Sequence, residues 1–298
     1  MKPDSLWRIV KNAAIWWWND NIPHLGAAIS YYTVFALAPI LIVAIAIAGL
    51  AFGADAVRGE IVGQIEGLMG HSGAVAVQSM LEGAANRSSG IVATVLGVVT
   101  LIGGATGLFL ELQTALNLIW RVKPRQDAGL RGMIRQRAIS FGLVIGVGFL
   151  LLVSLVVSAG LAALEKFFGN RFPAYVVVGQ ALNVIVSLGV ITLLFAMIYK
   201  TLPDVRLSWN DVWAGAIVTA ALFTIGKFAI GLYLGNSATA STYGAAGSVI
   251  VLLLWVNYSS QIVLLGAEFT RAWVASCGVT PEPEAFAKKA PGAKVLPT

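Results

Sequence analysis

Charged residues are scarce in this chain of 298 residues. Asp, Glu, Lys and Arg together make up 11% of it, whereas roughly 25% is typical of soluble domains. Hydrophobic residues make up 58%, and the mean hydropathy is +0.82. Such a chain has too few charges to cover the surface of a soluble globular protein. That class is excluded, and a surface facing lipid is predicted.

Cysteine and histidine are almost absent. The one cysteine, Cys277, excludes an intrachain disulfide, and the two histidines, His24 and His71, fall in segments predicted to face opposite sides of a membrane. The sequence has no HExxH, no GxSxG, no Walker-type glycine loop and no Cys/His metal spacing. We therefore predict that the protein is not an enzyme and has no catalytic residue, no metal site and no cofactor.

Long apolar runs are abundant, and they predict the fold class. Each is about the length that an α-helix needs to cross the hydrocarbon of a bilayer. The sequence thus predicts an all-α, polytopic integral membrane protein with a single membrane domain over residues 1–271. The six predicted spans are about 28–52, 90–112, 138–164, 175–199, 212–234 and 248–269.

The segments between the spans carry weaker signals. Residues 5–22 are rich in tryptophan and too polar to span, so they predict a short amphipathic helix in the headgroup layer. Residues 53–89 predict one or two further amphipathic helices on the membrane surface. Ser208 followed by Asp211 is typical of a capping box at the start of the fifth span. The proline- and lysine-containing residues 272–298 predict a disordered cytoplasmic tail.

The distribution of basic residues predicts the orientation. Fifteen of the twenty Lys and Arg residues lie outside the spans on the side of the N-terminus, and four lie on the other side. Because cytoplasmic loops are enriched in Lys and Arg, we expect both termini to be cytoplasmic. An even number of spans agrees with this.

Polar residues share one face of the last predicted span. Asn257, Gln261 and Glu268 fall within roughly 40° of one another on a helical wheel, with Arg271 on the flank. A spanning helix has no water to satisfy these groups, so we expect the face to contact other helices or a hydrated cavity. Two explanations stay open: a substrate pathway, or hydrogen bonds between helices that hold the bundle together.

Two other charged residues, Glu111 and Lys227, also fall within apolar segments. The functional interpretation is a polar path that opens to the cytoplasm. The alternatives are ion pairs of the glutamates with Arg121 or Arg271, and a Lys227 side chain that extends to the outer interface. The candidate pathway residues are Glu111, Asn117, Lys227, Asn257, Gln261 and Glu268.

A basic segment follows the second span. It either enforces topology or attracts anionic lipid headgroups. Nucleic-acid binding is not predicted, because aromatic stacking platforms and a folded soluble module are both missing from the sequence. The candidate headgroup-binding residues are Arg121, Lys123, Arg125, Arg131, Arg135 and Arg137.

Four stretches resemble the YihY/BrkB family of bacterial inner-membrane proteins. They are GAAISYYTVFALAP at 26–39, GATGLFLELQTALNLIW at 104–120, LPDVRLSWNDVWAGA at 202–216 and STYGAAGSVIVLLLWVNYSSQIVLLGAEFTR at 241–271. The resemblance implies a six-helix inner-membrane protein. The family carries an old ribonuclease BN label, and other members have been linked to serum resistance and envelope lipids. The resemblance implies no agreed catalytic or binding residues.

These observations predict a transporter or flippase-like protein that moves a lipidic or amphiphilic, anionic envelope substrate. The runner-up is a non-transporting scaffold for envelope assembly, and the remote alternative is a ribonuclease. The expected partners are membrane lipids, with a homo-oligomer or envelope-assembly proteins as further possibilities.

Overall fold

The computed structural model describes residues 6–85, 106–125, 173–236 and 245–290. The predicted span at 138–164 and most of the span at 90–112 lie outside these described residues. The remainder is mostly helical, as the composition predicts.

The N-terminal part of the chain forms three helices. Helix α1 (Leu6–Asn19) and helix α2 (Ile22–Phe52) are separated by a turn in which Asn21 has a φ of 53°. Asparagine tolerates this left-handed conformation better than most residues. Gly53, with a φ of 86°, separates α2 from helix α3 (Ala54–Ala85).

Helix α3 differs from its prediction. Residues 53–89 were expected to form one or two short helices, but Ala54–Ala85 is one helix of 32 residues. Its apolar residues Val77 and Leu81 pack against Ile45 of α2. The prediction of one or two short helices is wrong because burial of this apolar face against α2 stabilises one long, continuous helix.

Four more helices carry the rest of the described chain: α4 at residues 106–119, α5 (Pro173–Thr201), α6 (Trp209–Asn236) and α7 (Ala245–Ser276). At the start of α6, the backbone N–H of Ser208 donates to Oδ2 of Asp211 at 2.7 Å, which is one of the two bonds of the predicted capping box. Helix α7 runs beyond its predicted end at residue 269.

Three segments of the described residues are long and apolar enough to cross a membrane. They are Val184–Thr201 in α5, Trp209–Ile230 in α6 and Val249–Ser276 in α7. A shorter apolar stretch, Ile22–Leu37, lies in α2. The protein is therefore a helical membrane protein.

Helices α6 and α7 cross at two glycines. A Cβ atom added at Gly215 would overlap the side chain of Thr270, and one added at Gly266 would overlap Thr219. The hydroxyl of Thr219 also bonds the hydroxyl of Tyr199 on α5 at 2.8 Å. Small residues thus let three helices approach closely.

The C-terminal segment corrects another prediction. Residues 272–276 belong to α7, and strand β2 (Ala287–Lys289) pairs antiparallel with strand β1 (Val122–Pro124). Disorder is therefore wrong for residues 272–290. Their composition lacks a core of its own, but the backbone finds partners at the end of α4 and in the loop before α6, where Val205 bridges Pro283.

The chain has two compact units. The first comprises Met1–Asp20, Leu116–Leu222 and Leu265–Thr298, and the second comprises Asn21–Ala115 and Phe223–Leu264. In the first unit, Ile9 and Ala13 of α1 pack against Phe269 and Ala272 of α7. In the second, Leu252 and Val256 of α7 pack against Val34 and Leu37 of α2 and Ile65 of α3.

Candidate functional site

The first unit contains a group of four charged residues, three of which are buried. We call Asp20, Arg121, Glu268 and Arg271 the charge cluster. Asp20 directly follows α1, and its backbone N–H still donates to the carbonyl of Trp16 at 2.8 Å. Its burial follows from α1, because Ile9, Ala13, Trp16 and Asp20 recur at helical spacing on one side.

Helix α7 supplies one acid and one base. Glu268 and Arg271 are three residues apart and therefore share a face. Oε2 of Glu268 lies 3.4 Å from Nη1 of Arg271, which lies 3.7 Å from Oδ2 of Asp20. Glu268 is 0% exposed and Arg271 is 8% exposed. One guanidinium thus lies between two carboxylates.

Arg121 approaches the same aspartate from the end of α4. Its backbone has a φ of 55°, and its Nη2 lies 2.6 Å from Oδ1 of Asp20. The ring of Trp16 lies against the guanidinium of Arg271, whose central carbon is 4.3 Å from the ring centroid. Such stacking stabilises a desolvated guanidinium.

The cluster is balanced in charge but not in hydrogen bonding. It contains two carboxylates and two guanidiniums, yet Oε1 of Glu268 and Oδ2 of Asp20 are buried and have no hydrogen-bond partner among the residues that the structure describes. A buried acceptor without a donor costs free energy and is uncommon in folded proteins. The Arg121 side chain remains 39% exposed. It is the member that a ligand can reach.

The first unit also contains a second polar link. Nδ2 of Asn117 donates to Oδ2 of Asp204, and the backbone N–H of Asp204 donates to Oδ1 of Asn117, both at 2.8 Å. The side-chain amide of Asn117, which was predicted to line a pathway, is therefore bonded to the loop before α6.

Asn257 and Gln261 lie in the second unit. Nε2 of Gln261 donates to Oδ1 of Asn257 at 2.5 Å, and both residues are half-buried. A Cβ added at Gly26 of α2 would be 3.0 Å from Cγ of Gln261. These amides pack against the beginning of α2, an arrangement in keeping with either explanation of the polar face.

Glu111 and Lys227 are also half-buried. Nζ of Lys227 lies 5.2 Å from the ring centroid of Phe228. Both stay predictions as pathway residues. The ion pairing weighed for the glutamates is found for Glu268 with Arg271, whereas Arg121 pairs with Asp20.

The predicted headgroup-binding residues divide into three groups. Arg121 is an ion-pair partner in the charge cluster, while Lys123 in β1 and Arg125 are exposed. Arg131, Arg135 and Arg137 lie outside the described residues.

Sequence reasoning missed Asp20 and Asp204. A signal for Asp20 was present, since it continues the helical spacing of Ile9, Ala13 and Trp16 on the buried side of α1. Asp204 had no such signal, because its partner Asn117 is 87 positions away. In the part of the chain that the structure describes, no group of three or more His, Cys, Asp or Glu residues is arranged to hold a metal ion.

Comparisons with known proteins agree with the helical membrane architecture. The chain is 29% identical over 253 residues to a UPF0761 membrane protein of Ralstonia nicotianae. This alignment covers 83% of this chain and 54% of that protein. It is 32% identical over 258 residues to one of Verminephrobacter eiseniae, covering 84% and 58%. For one of Alteromonas mediterranea the identity is 30% over 254 residues, covering 84% and 82%.

The chain spans a little over half the length of several of these curated relatives. No solved structure matches. The model of the family described as "Virulence factor BrkB" matches residues 16–290, which include the charge cluster and both strands. The chain therefore belongs to the BrkB virulence factor family, as the four stretches of resemblance implied.

Proposed function

We propose that this protein is a transporter or flippase-like protein of the bacterial inner membrane that moves a lipidic or amphiphilic, anionic envelope substrate. The proposal includes six spans and cytoplasmic termini. Three candidate spans among the described residues and the bias of Lys and Arg towards one side support it.

One observation carries the proposal. Glu268 is fully buried in an apolar helix, its Oε1 has no hydrogen-bond partner in the described part of the chain, and it adjoins a guanidinium shared with Asp20. Ionisable residues inside membrane spans are costly, and they mark substrate or ion pathways. A purely structural ion pair would be expected to satisfy both carboxylate oxygens.

The geometry supports an exchange of partners at the cluster. Arg121 is the exposed member, and it contacts Asp20 from the end of α4. An anionic headgroup that arrives from the cytoplasmic side competes with Asp20 for this guanidinium, because phosphate accepts the same paired hydrogen bonds as a carboxylate. Asp20 then keeps Arg271, so the substrate is bound without leaving an unpaired buried charge.

Helix α1 supports a position in the headgroup layer. Its Ile9 and Ala13 pack against α7, whereas Trp7, Val10 and Trp18 on another side are exposed. Exposed indole rings favour the membrane interface. We propose that α1 lies there, with Asp20 connecting it to the charge cluster.

The scaffold is the second candidate, and a specific observation favours it. Asn257 bonds Gln261, and Asn117 bonds Asp204 in both directions, so four polar residues have partners within the protein. A static framework would use its polar groups in this way. Catalysis, including RNA cleavage, is not part of the proposal.

Reconstitution in liposomes tests transport. The inward movement of fluorescently headgroup-labelled phosphatidylglycerol is measured for the native protein, Glu268→Gln and Gln261→Leu. We expect each variant to slow the movement by about tenfold, which corresponds to about 1.4 kcal/mol in the barrier. Glu268→Asp, which keeps the charge with a shorter reach, should be intermediate.

Matched controls are available on α3. Glu66→Gln and Gln78→Leu make the same chemical changes at exposed positions and should leave the rate unchanged. Circular dichroism and size-exclusion chromatography verify that each variant is folded. If the native protein moves labelled lipid no faster than empty liposomes, the transport proposal is wrong and the scaffold is favoured.

A further inference from the structure

The pairing of β1 with β2 brings lysines from distant parts of the chain face to face. Lys123 lies directly opposite Lys288 in the antiparallel register, and Lys289 follows it. All three side chains are exposed. Among the described residues, no ion pair involves any of them.

The alternation of the strands places further residues on the same side. The backbone N–H of Arg125 donates to the carbonyl of Phe286 at 2.8 Å, which continues the register of the Lys123–Lys288 pair by two residues. Side chains two positions apart share a face of a strand. Lys123, Arg125, Phe286 and Lys288 therefore form one exposed surface, which we call the basic ribbon, while Val122 and Ala287 face inward and are buried.

The pairing is unfavourable by itself. Like charges directly opposite each other in an antiparallel pair destabilise it. The acidic residues of the same segment are Glu282 and Glu284. Their backbone groups bond to the loop before α6 and not to β1. No ion pair among the described residues offsets the charges of Lys123 and Lys288, so an anion bound between the two lysines would stabilise the pair.

The position of the ribbon selects the anion. Two residues separate the end of α4 from strand β1, and the segment leading to β2 pairs with the loop that follows the candidate span Val184–Thr201. The ribbon is thus held close to the ends of apolar helices. At that level the abundant anions are lipid headgroups, and an exposed aromatic beside basic residues is typical of interfacial contact.

We propose that the basic ribbon is a binding surface for the headgroups of anionic glycerophospholipids on the cytoplasmic side, with Lys123 and Lys288 sharing one phosphate. The inference rests on the membrane orientation given under the proposed function, but it does not require transport. It assigns a role to Lys288, which the sequence places in a segment expected to be disordered.

The test is a lipid titration of the full-length protein in detergent. Thermal unfolding is followed as dioctanoyl-phosphatidylglycerol or dioctanoyl-phosphatidylcholine is added. We expect the anionic lipid to raise the unfolding temperature of the native protein more than the zwitterionic one. Each lysine near an anionic headgroup contributes roughly fivefold in affinity, so Lys123→Gln with Lys288→Gln should weaken the apparent affinity by roughly 25-fold.

Three variants make the result specific. Lys123→Arg with Lys288→Arg keeps the charges and should keep the preference for the anionic lipid. Arg58→Gln removes an exposed charge on α3, away from the ribbon in sequence, and should also keep the preference for the anionic lipid. Lys288→Glu places opposite charges across the ribbon, so it should unfold at a higher temperature without lipid and lose part of the response to phosphatidylglycerol.

Two outcomes overturn the proposal. One is a Lys288→Glu protein that responds to phosphatidylglycerol as the native protein does. The other is an equal stabilisation by inorganic phosphate at the same concentration, which would assign the ribbon to free anions. Failure of lipid movement in liposomes would overturn the transport function and leave this result intact.

Discussion

Asp20 is the residue on which the charge cluster depends. It lies within 2.6 Å of Arg121 and 3.7 Å of Arg271, and it is only 8% exposed. One carboxylate therefore holds guanidiniums from α4 and α7 at the end of α1. Removal of its charge would leave buried positive charge with less compensation.

We predict that Asp20→Asn lowers the free energy of unfolding by about 3 kcal/mol, since breaking a buried pair leaves an uncompensated charge. Urea unfolding in detergent measures it. Glu82→Gln, at an exposed position on α3, should change stability by less than about 0.5 kcal/mol.

A double-mutant cycle checks the cause. If Asp20 acts through Arg121, then Asp20→Asn combined with Arg121→Gln should cost clearly less than the sum of the single changes. Additive losses would show that the 2.6 Å contact does not contribute and would remove the basis for partner exchange.

At the scale of elements, the crossing of α6 and α7 depends on glycine. Gly215 and Gly266 each face a threonine side chain on the other helix so closely that a methyl group has no room. Both helices are candidate spans, and van der Waals packing is a main source of helix association in lipid.

Gly215→Ala and Gly266→Ala should each destabilise the protein by about 1–3 kcal/mol, because the added methyl group forces the helices apart. Thermal unfolding in detergent gives the comparison.

The matched control is Gly63→Ala on α3, where an added Cβ has no heavy atom within 4 Å. It should stabilise the helix by about 0.5–1 kcal/mol, because alanine loses less backbone entropy than glycine. If Gly63→Ala lowers stability as much as Gly215→Ala does, the effect comes from replacing any helical glycine and not from the close approach of α6 and α7.

At the scale of the whole molecule, the orientation follows from the distribution of basic residues. Cys277 offers a direct test, because it is the one cysteine of the chain and directly follows α7. It is half-buried, so a reagent has partial access to its thiol.

We predict that a membrane-impermeant maleimide labels Cys277 in inside-out membrane vesicles but not in intact spheroplasts. The matched variant Cys277→Ser with Arg58→Cys should show the reverse pattern, since Arg58 is exposed and falls on the opposite side in the predicted topology. Labelling of Cys277 from outside would overturn the cytoplasmic placement of the C-terminus.

Local patterns determined the class of this protein. Hydrophobicity summed over about twenty residues located the helices α5, α6 and α7, because the cost of burying backbone and side chains in lipid is local to each segment. The helical spacing of Asn257, Gln261 and Glu268 likewise identified a polar face before any partner was known.

The tertiary structure decided which charges meet. Asp20 and Arg121 are 101 positions apart, and β1 pairs with a segment that composition alone marks as disordered. No periodicity within either segment specifies such a partner, since ion pairs and strand pairing depend on where the chain returns in space. The sequence by itself determined a helical membrane protein with a polar last helix. Only the packing of the ends of α1, α4 and α7 turned Glu268 and Arg271 into a buried cluster and the tail lysines into an exposed surface.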